Sequence, residues 1–174
     1  MRAPLDPELL RRRFGHVRRR SLALAEPLSD EDCTAQSMAD ASPVKWHLAH
    51  TTWFFETFIL EQREAGFRPF HPAFRVLFNS YYNGIGAKHP RAQRGLVTRP
   101  GMAEVRAWRA DVDARMARLM DSRAGDARLE ALVTLGLRYQ EVWIVIVLRG
   151  QAAAAVVGFV GGLSTLGLLS FGSR

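Results

Sequence analysis

Leu10, Phe14, Val17, Ser21 and Leu24 recur at four-three-four-three spacing, so about residues 6 to 25 read as a helix with one apolar stripe. The arginines at 11 to 13 and 18 to 20 fall largely off that stripe. Arg11 and Arg18, Arg12 and Arg19, and Arg13 and Arg20 are each seven apart, so they stack along one side of the helix and read as a solvated face. Ser29-Asp30-Glu31-Asp32 marks a helix start. Ser42-Pro43 marks a stronger one, with serine at the N-cap and proline at the first helical position. That second long helix runs to about Gln62 or Glu64 and is ended by Gly66. Val44, Leu48, Phe55, Phe58 and Ile59, thickened by Trp46, His47, His50, Trp53 and Phe54, make it a buried element at the centre of the domain.

Between Gly66 and Pro100 the density of glycine and proline excludes a long helix, while Phe67, Phe70, Phe74, Phe78, Tyr81 and Tyr82 argue against a slack linker. The stretch reads as an ordered crossover loop over a site. A third helix follows Arg99-Pro100, with Val105, Trp108, Val112, Met116 and Leu119 on one face. A fourth starts near Asp126 with Leu129, Leu132, Val133 and Leu137. Four helices with one long crossover, and no alternation of strands and helices, point to an all-α four-helix bundle. From Val142 onward only Arg149 and Arg174 carry charge. The chain therefore divides into a helical domain over 1–141 and an atypical apolar tail over 142–174, within which 151–172 is long enough for a membrane span. A frame-shifted ending is the other reading of the tail.

At 174 residues and 48% hydrophobic composition, the chain suits one globular domain and excludes both a disordered tail and a multidomain machine. Its single cysteine excludes an internal disulfide framework, and five histidines cap any imidazole-built metal site. The formal charge of +7 is carried almost wholly by arginine, which favours an anionic partner without choosing among nucleic acid, membrane surface and small anion. No charged segment followed by an apolar stretch and a cleavage site opens the sequence, and a cytoplasmic location is expected.

Two constellations carry candidate chemistry. His47 and His50 sit three apart on one buried helix, where bundles place metal ligands, although a histidine satisfied by hydrogen bonds is the commoner case. Arg91 and Arg94 flank a short turn and can both address one carboxylate-bearing ligand, although a solvated pair of loop arginines is the commoner case.

Residues 37 to 60, which include Trp46-His47-Leu48-Ala49-His50, together with Leu77-Phe78-Asn79-Ser80-Tyr81-Tyr82-Asn83, His89-Pro90-Arg91-Ala92-Gln93-Arg94-Gly95-Leu96 and Thr98-Arg99-Pro100, resemble the N-terminal DinB-like domain of the ergothioneine-biosynthesis sulfoxide synthases, or hercynine oxygenases. The resemblance covers about residues 8 to 137. It implies a DinB-like bundle and a non-haem iron(II), held by three histidines, that activates dioxygen and joins γ-glutamylcysteine or cysteine to hercynine. It also implies that His50 matches the first iron ligand, that His47 is a structural residue beside it, and that Arg91 and Arg94 hold the carboxylate of the thiol.

The likeness breaks where the family carries a helix with two further histidines. Here Tyr139 and Trp143 stand at those positions, and neither is a good ligand for iron(II) at neutral pH. The family's C-terminal formylglycine-generating-enzyme-like domain is missing as well. The expectation is a truncated chain, impaired in iron binding and inactive alone. Its small-molecule partners would be a thiol and hercynine, with no nucleic-acid partner. The alternative, from charge and apolarity, is a small basic nucleic-acid-binding or membrane-tethered helical protein.

Overall fold

Pro7 fills the first helical turn and the Asp6 carboxylate accepts from the Glu8 amide at 3.0 Å, which starts α1 (Pro7–Ala25). The computed structural model describes residues 6–79 and 89–141. The apolar stripe of α1 faces inward as its spacing predicts, with Leu10, Phe14, Val17 and Ser21 buried and Leu24 partly so. One arginine departs from the expected solvated face. Arg18 is 2% exposed, because it follows Phe14 and Val17 around the helix and turns its guanidinium into the bundle.

A short α2 (Asp30–Thr34) begins at Ser29, whose side chain and that of Asp32 cap each other's backbone amides. The central helix α3 (Val44–Phe55) buries every residue except His47. Ser42 does not cap it: Pro43 takes the cap position, and the Ser42 hydroxyl accepts from Arg94 at 2.6 Å instead. The same rod continues through a π-helical turn at Glu56–Leu60 into α4 (Glu61–Arg63), and Gly66, at φ +66°, turns the chain away. That wider turn was not predicted. It buries Glu56, whose carboxylate accepts from the Phe70 amide at 2.9 Å and lies 3.7 Å from Arg115.

The breaker-rich stretch holds only α5 (Phe74–Leu77) and a 3₁₀ turn at Arg91–Leu96 among its described residues. Then α6 (Met102–Ser122) lays Val105, Trp108, Val112, Met116 and Leu119 into the core against α3 and α1. Asp126 accepts from the amides of Arg128 and Leu129 and starts α7, residues 127–141, which buries Leu129, Val133 and Leu137. The described regular structure is thus entirely helical, with α1, the α3 rod, α6 and α7 as the four long members of the bundle. None of the described helices is long and apolar enough to cross a membrane. The apolar tail over 142–174, the proposed span within it, Tyr81, Tyr82 and Trp143 lie outside the described residues.

Candidate functional site

His50 sits mid-way along α3 and is 3% exposed. Its ring stacks on Trp53, with centroids 5.2 Å apart and planes at 16°, and Tyr139 of α7 meets its edge at 5.7 Å. The Nδ1 atom lies 2.6 Å from the Phe78 carbonyl oxygen and Nε2 lies 2.9 Å from the Tyr139 hydroxyl. A carbonyl can only accept, so Nδ1 carries the hydrogen. Burial pushes the imidazole down to about 4, with the Arg94 charge acting in the same direction and the Phe78 bond against it. The ring is therefore neutral at pH 7, and its Nε2 lone pair accepts from the tyrosine O–H.

One turn earlier, His47 is neutral for a related reason. Burial, the neighbouring His50 and the Arg94 charge push it down to about 3, against a hydrogen bond with the Ser42 backbone. Its Nε2 is buried and has no hydrogen-bond partner among the described residues.

The 3₁₀ turn packs against the start of α3. Arg94, 4% exposed, sets its guanidinium 4.1 Å over the Trp46 ring while bonding to Ser42, so this cation is part of the wall. Arg91, on the same turn, is exposed. The two arginines expected to share one ligand thus differ: one is fixed in the wall, the other stands at the surface. His89 lies 5.7 Å from Trp46, completing an aromatic and cationic corner.

Gln36 holds this corner together and was missed by sequence reasoning. Its amide nitrogen donates to the carbonyls of Ala41 and Arg91 at 2.7 and 2.8 Å, and its Oε1 accepts from the Gly95 amide at 2.7 Å. A Cβ on Gly95 would sit 2.8 Å from the Gln36 Cβ. The glycine in the turn was the available signal that another chain segment comes close. Lys45 adds a second tie, donating to the Val97 carbonyl at 2.6 Å.

A non-haem iron needs at least three nitrogen or oxygen ligands with a free position for chemistry. At His50 the described residues supply one imidazole, already bonded through both nitrogens, and one phenol. Among them no group of three histidine, cysteine, aspartate or glutamate residues could hold a metal ion. These residues do not fit a three-histidine iron centre. What the corner around α3 does offer is positive charge beside neutral imidazoles, which suits a carboxylate.

No curated protein matches the chain. The family model for the DinB superfamily matches residues 13–149, which takes in α7 and most of α1 as well as everything between them. An all-helical bundle built on these four rods, matched along most of its length, belongs to the DinB superfamily.

Proposed function

We propose that this chain is a relative of the first domain of the iron(II)- and dioxygen-dependent sulfoxide synthases, which join γ-glutamylcysteine or cysteine to hercynine. In it the recognition of a small carboxylate survives and the metal chemistry does not. The carrying observation is the packing of the Arg91–Leu96 turn on α3, which brings Arg94 onto Trp46 at 4.1 Å, one residue from His47 along the helix. An anionic group entering this corner would be met by the exposed Arg91, with Arg94 behind it. His50 marks the position of the first iron ligand, and the thiol would lie towards it.

Calorimetric titration of the purified chain with γ-glutamylcysteine, cysteine and hercynine tests this reading. The expected result is binding of a thiol that weakens at least tenfold in Arg91→Ala, with no sulfoxide formed when iron(II), oxygen and both substrates are supplied. Absence of thiol binding in the wild type, or binding indifferent to Arg91, overturns the recognition claim. Turnover by the isolated chain overturns the claim of lost chemistry.

A second reading comes from the outer face of α1. Arg11 and Arg13 pair with Asp121 and Glu141, whereas the exposed Arg12, Arg19 and Arg20 have no carboxylate partner among the described residues. That face would follow a phosphate backbone, with an affinity for duplex DNA that falls steeply between 50 and 200 mM salt. A flat salt response, or no binding, removes it.

A further inference from the structure

We infer that Tyr139 stands where a metal would otherwise sit on His50, so that a phenol–imidazole hydrogen bond closes the centre of the bundle and the chain folds metal-free. The inference rests on the reading of His50 as the family's ligand position, and its argument is geometric. The Phe78 carbonyl, 2.6 Å from Nδ1, consumes the ring's only N–H, which leaves the Nε2 lone pair as the one direction open to a cation. The Tyr139 hydroxyl, 2.9 Å from Nε2, takes that lone pair. A transition metal binds imidazole nitrogen at about 2.1 Å. An ion placed towards the phenol oxygen would come within about 0.8 Å of it, so metal and phenol exclude each other.

Tyr139 is not free to swing aside. It is half-buried, and its ring stacks over Phe54 at 6.4 Å and 23° while meeting the edge of His50. One turn earlier on α7, Gly136 lets the backbone approach so closely that a Cβ there would lie 2.6 Å from the Phe54 ring. The position of α7, and with it the phenol, is set by that contact. The Arg94 charge acting on His50 further disfavours a second cation at the ring.

The test combines histidine ¹⁵N NMR with zinc(II) and cobalt(II) titration of the full chain. The wild type is expected to show His50 as the Nδ1–H tautomer, with an Nε2 resonance unmoved by one equivalent of either metal. Tyr139→His is expected to bind cobalt(II) at least tenfold more tightly than the wild type, and Tyr139→His/His50→Ala to lose that gain. Should the histidine variant not fold, Tyr139→Phe still decides: its Nε2 resonance moves from the hydrogen-bonded to the free imidazole value if the phenol is the partner.

A wild-type His50 that takes up one equivalent of metal, or that carries its proton on Nε2, overturns the inference. So does a folded Tyr139→His that binds no better than the wild type, or a Tyr139→Phe with an unmoved Nε2. Thiol binding through Arg91 is read by its own titration, so either result can fail without the other.

Discussion

At the scale of single residues, the two histidines of α3 are buried bases that the fold keeps neutral. Their folded-state values are pushed down to about 3 for His47 and about 4 for His50, mainly by burial, from an ordinary 6.5. Below pH 6.5 the unfolded chain takes up protons that the folded chain refuses, so stability is fully present above 6.5 and is lost as pH falls. For His50 alone the loss by pH 4 is about 3 kcal/mol, and His47 deepens it. Urea unfolding at pH 7.5 and 4.5 should show a clear drop in midpoint at the lower pH, and an unchanged midpoint would contradict the neutral, buried state of both rings. Of these roles the sequence shows only the spacing. That His50 would be bonded at both nitrogens depends on Phe78 and Tyr139, 28 and 89 positions away, which no local pattern connects.

At the scale of elements, the stripes of α1, α6 and α7 were legible because a period of 3.6 is a local property, and so were the stop at Gly66 and the start of α6 after Pro100. Two features were not. The π-helical turn at Glu56–Leu60 is written in no residue type; its Glu56 accepts from the Phe70 amide and faces the Arg115 charge at 3.7 Å, partners no local pattern shows. Ser42 looked like a cap by type, but Arg94, fifty-two positions on, bonds its hydroxyl instead. The approach of α7 to α3 is similar: Gly136 lies inside a helical run, where glycine is unfavourable by about 1 kcal/mol relative to alanine. Its reason is contact. A Cβ would lie 2.6 and 2.9 Å from Phe54 ring carbons and 2.9 Å from the Phe55 Cζ, and both rings are buried with nowhere to retreat. Gly136→Ala should therefore destabilise by about 1 to 3 kcal/mol from overpacking, despite the gain in helix propensity. Chemical denaturation of the variant beside the wild type reads the sign; a stabilised variant would mean that α7 stands further from α3.

For the whole molecule, the four long helices are joined by a polar core as well as by apolar packing. Arg18 of α1 reaches Asp113 of α6 at 2.6 Å, Thr52 of α3 at 3.1 Å and Gln140 of α7 at 3.2 Å. Arg109 of α6, 1% exposed, donates to Ser21, to Thr51 and Thr52, and to the carbonyls of Leu48 and Arg18, and no carboxylate among the described residues bonds to it. Burial pushes both guanidiniums down, Arg109 the further because Arg18 repels it, and Asp113 opposes the shift in both. Asp113, whose side chain is 27% exposed, thus pairs with Arg18 directly and acts on Arg109 through its charge alone. The sequence hides this because the arginine run looks solvated, and the partners that turn Arg18 inward come from three other helices. Removing one member of a buried pair leaves the other charge without compensation, at about 3 to 5 kcal/mol when both are fully buried. The partial exposure of Asp113 lowers this, so Asp113→Asn should cost about 2 to 3 kcal/mol, more than Asp121→Asn at the exposed Arg11 pair, where solvent screens the interaction. Urea unfolding of both variants separates the cases. Equal losses would mean that Arg18 and Arg109 are held by the hydroxyls and carbonyls around them, with the carboxylate contributing no more than a surface partner does.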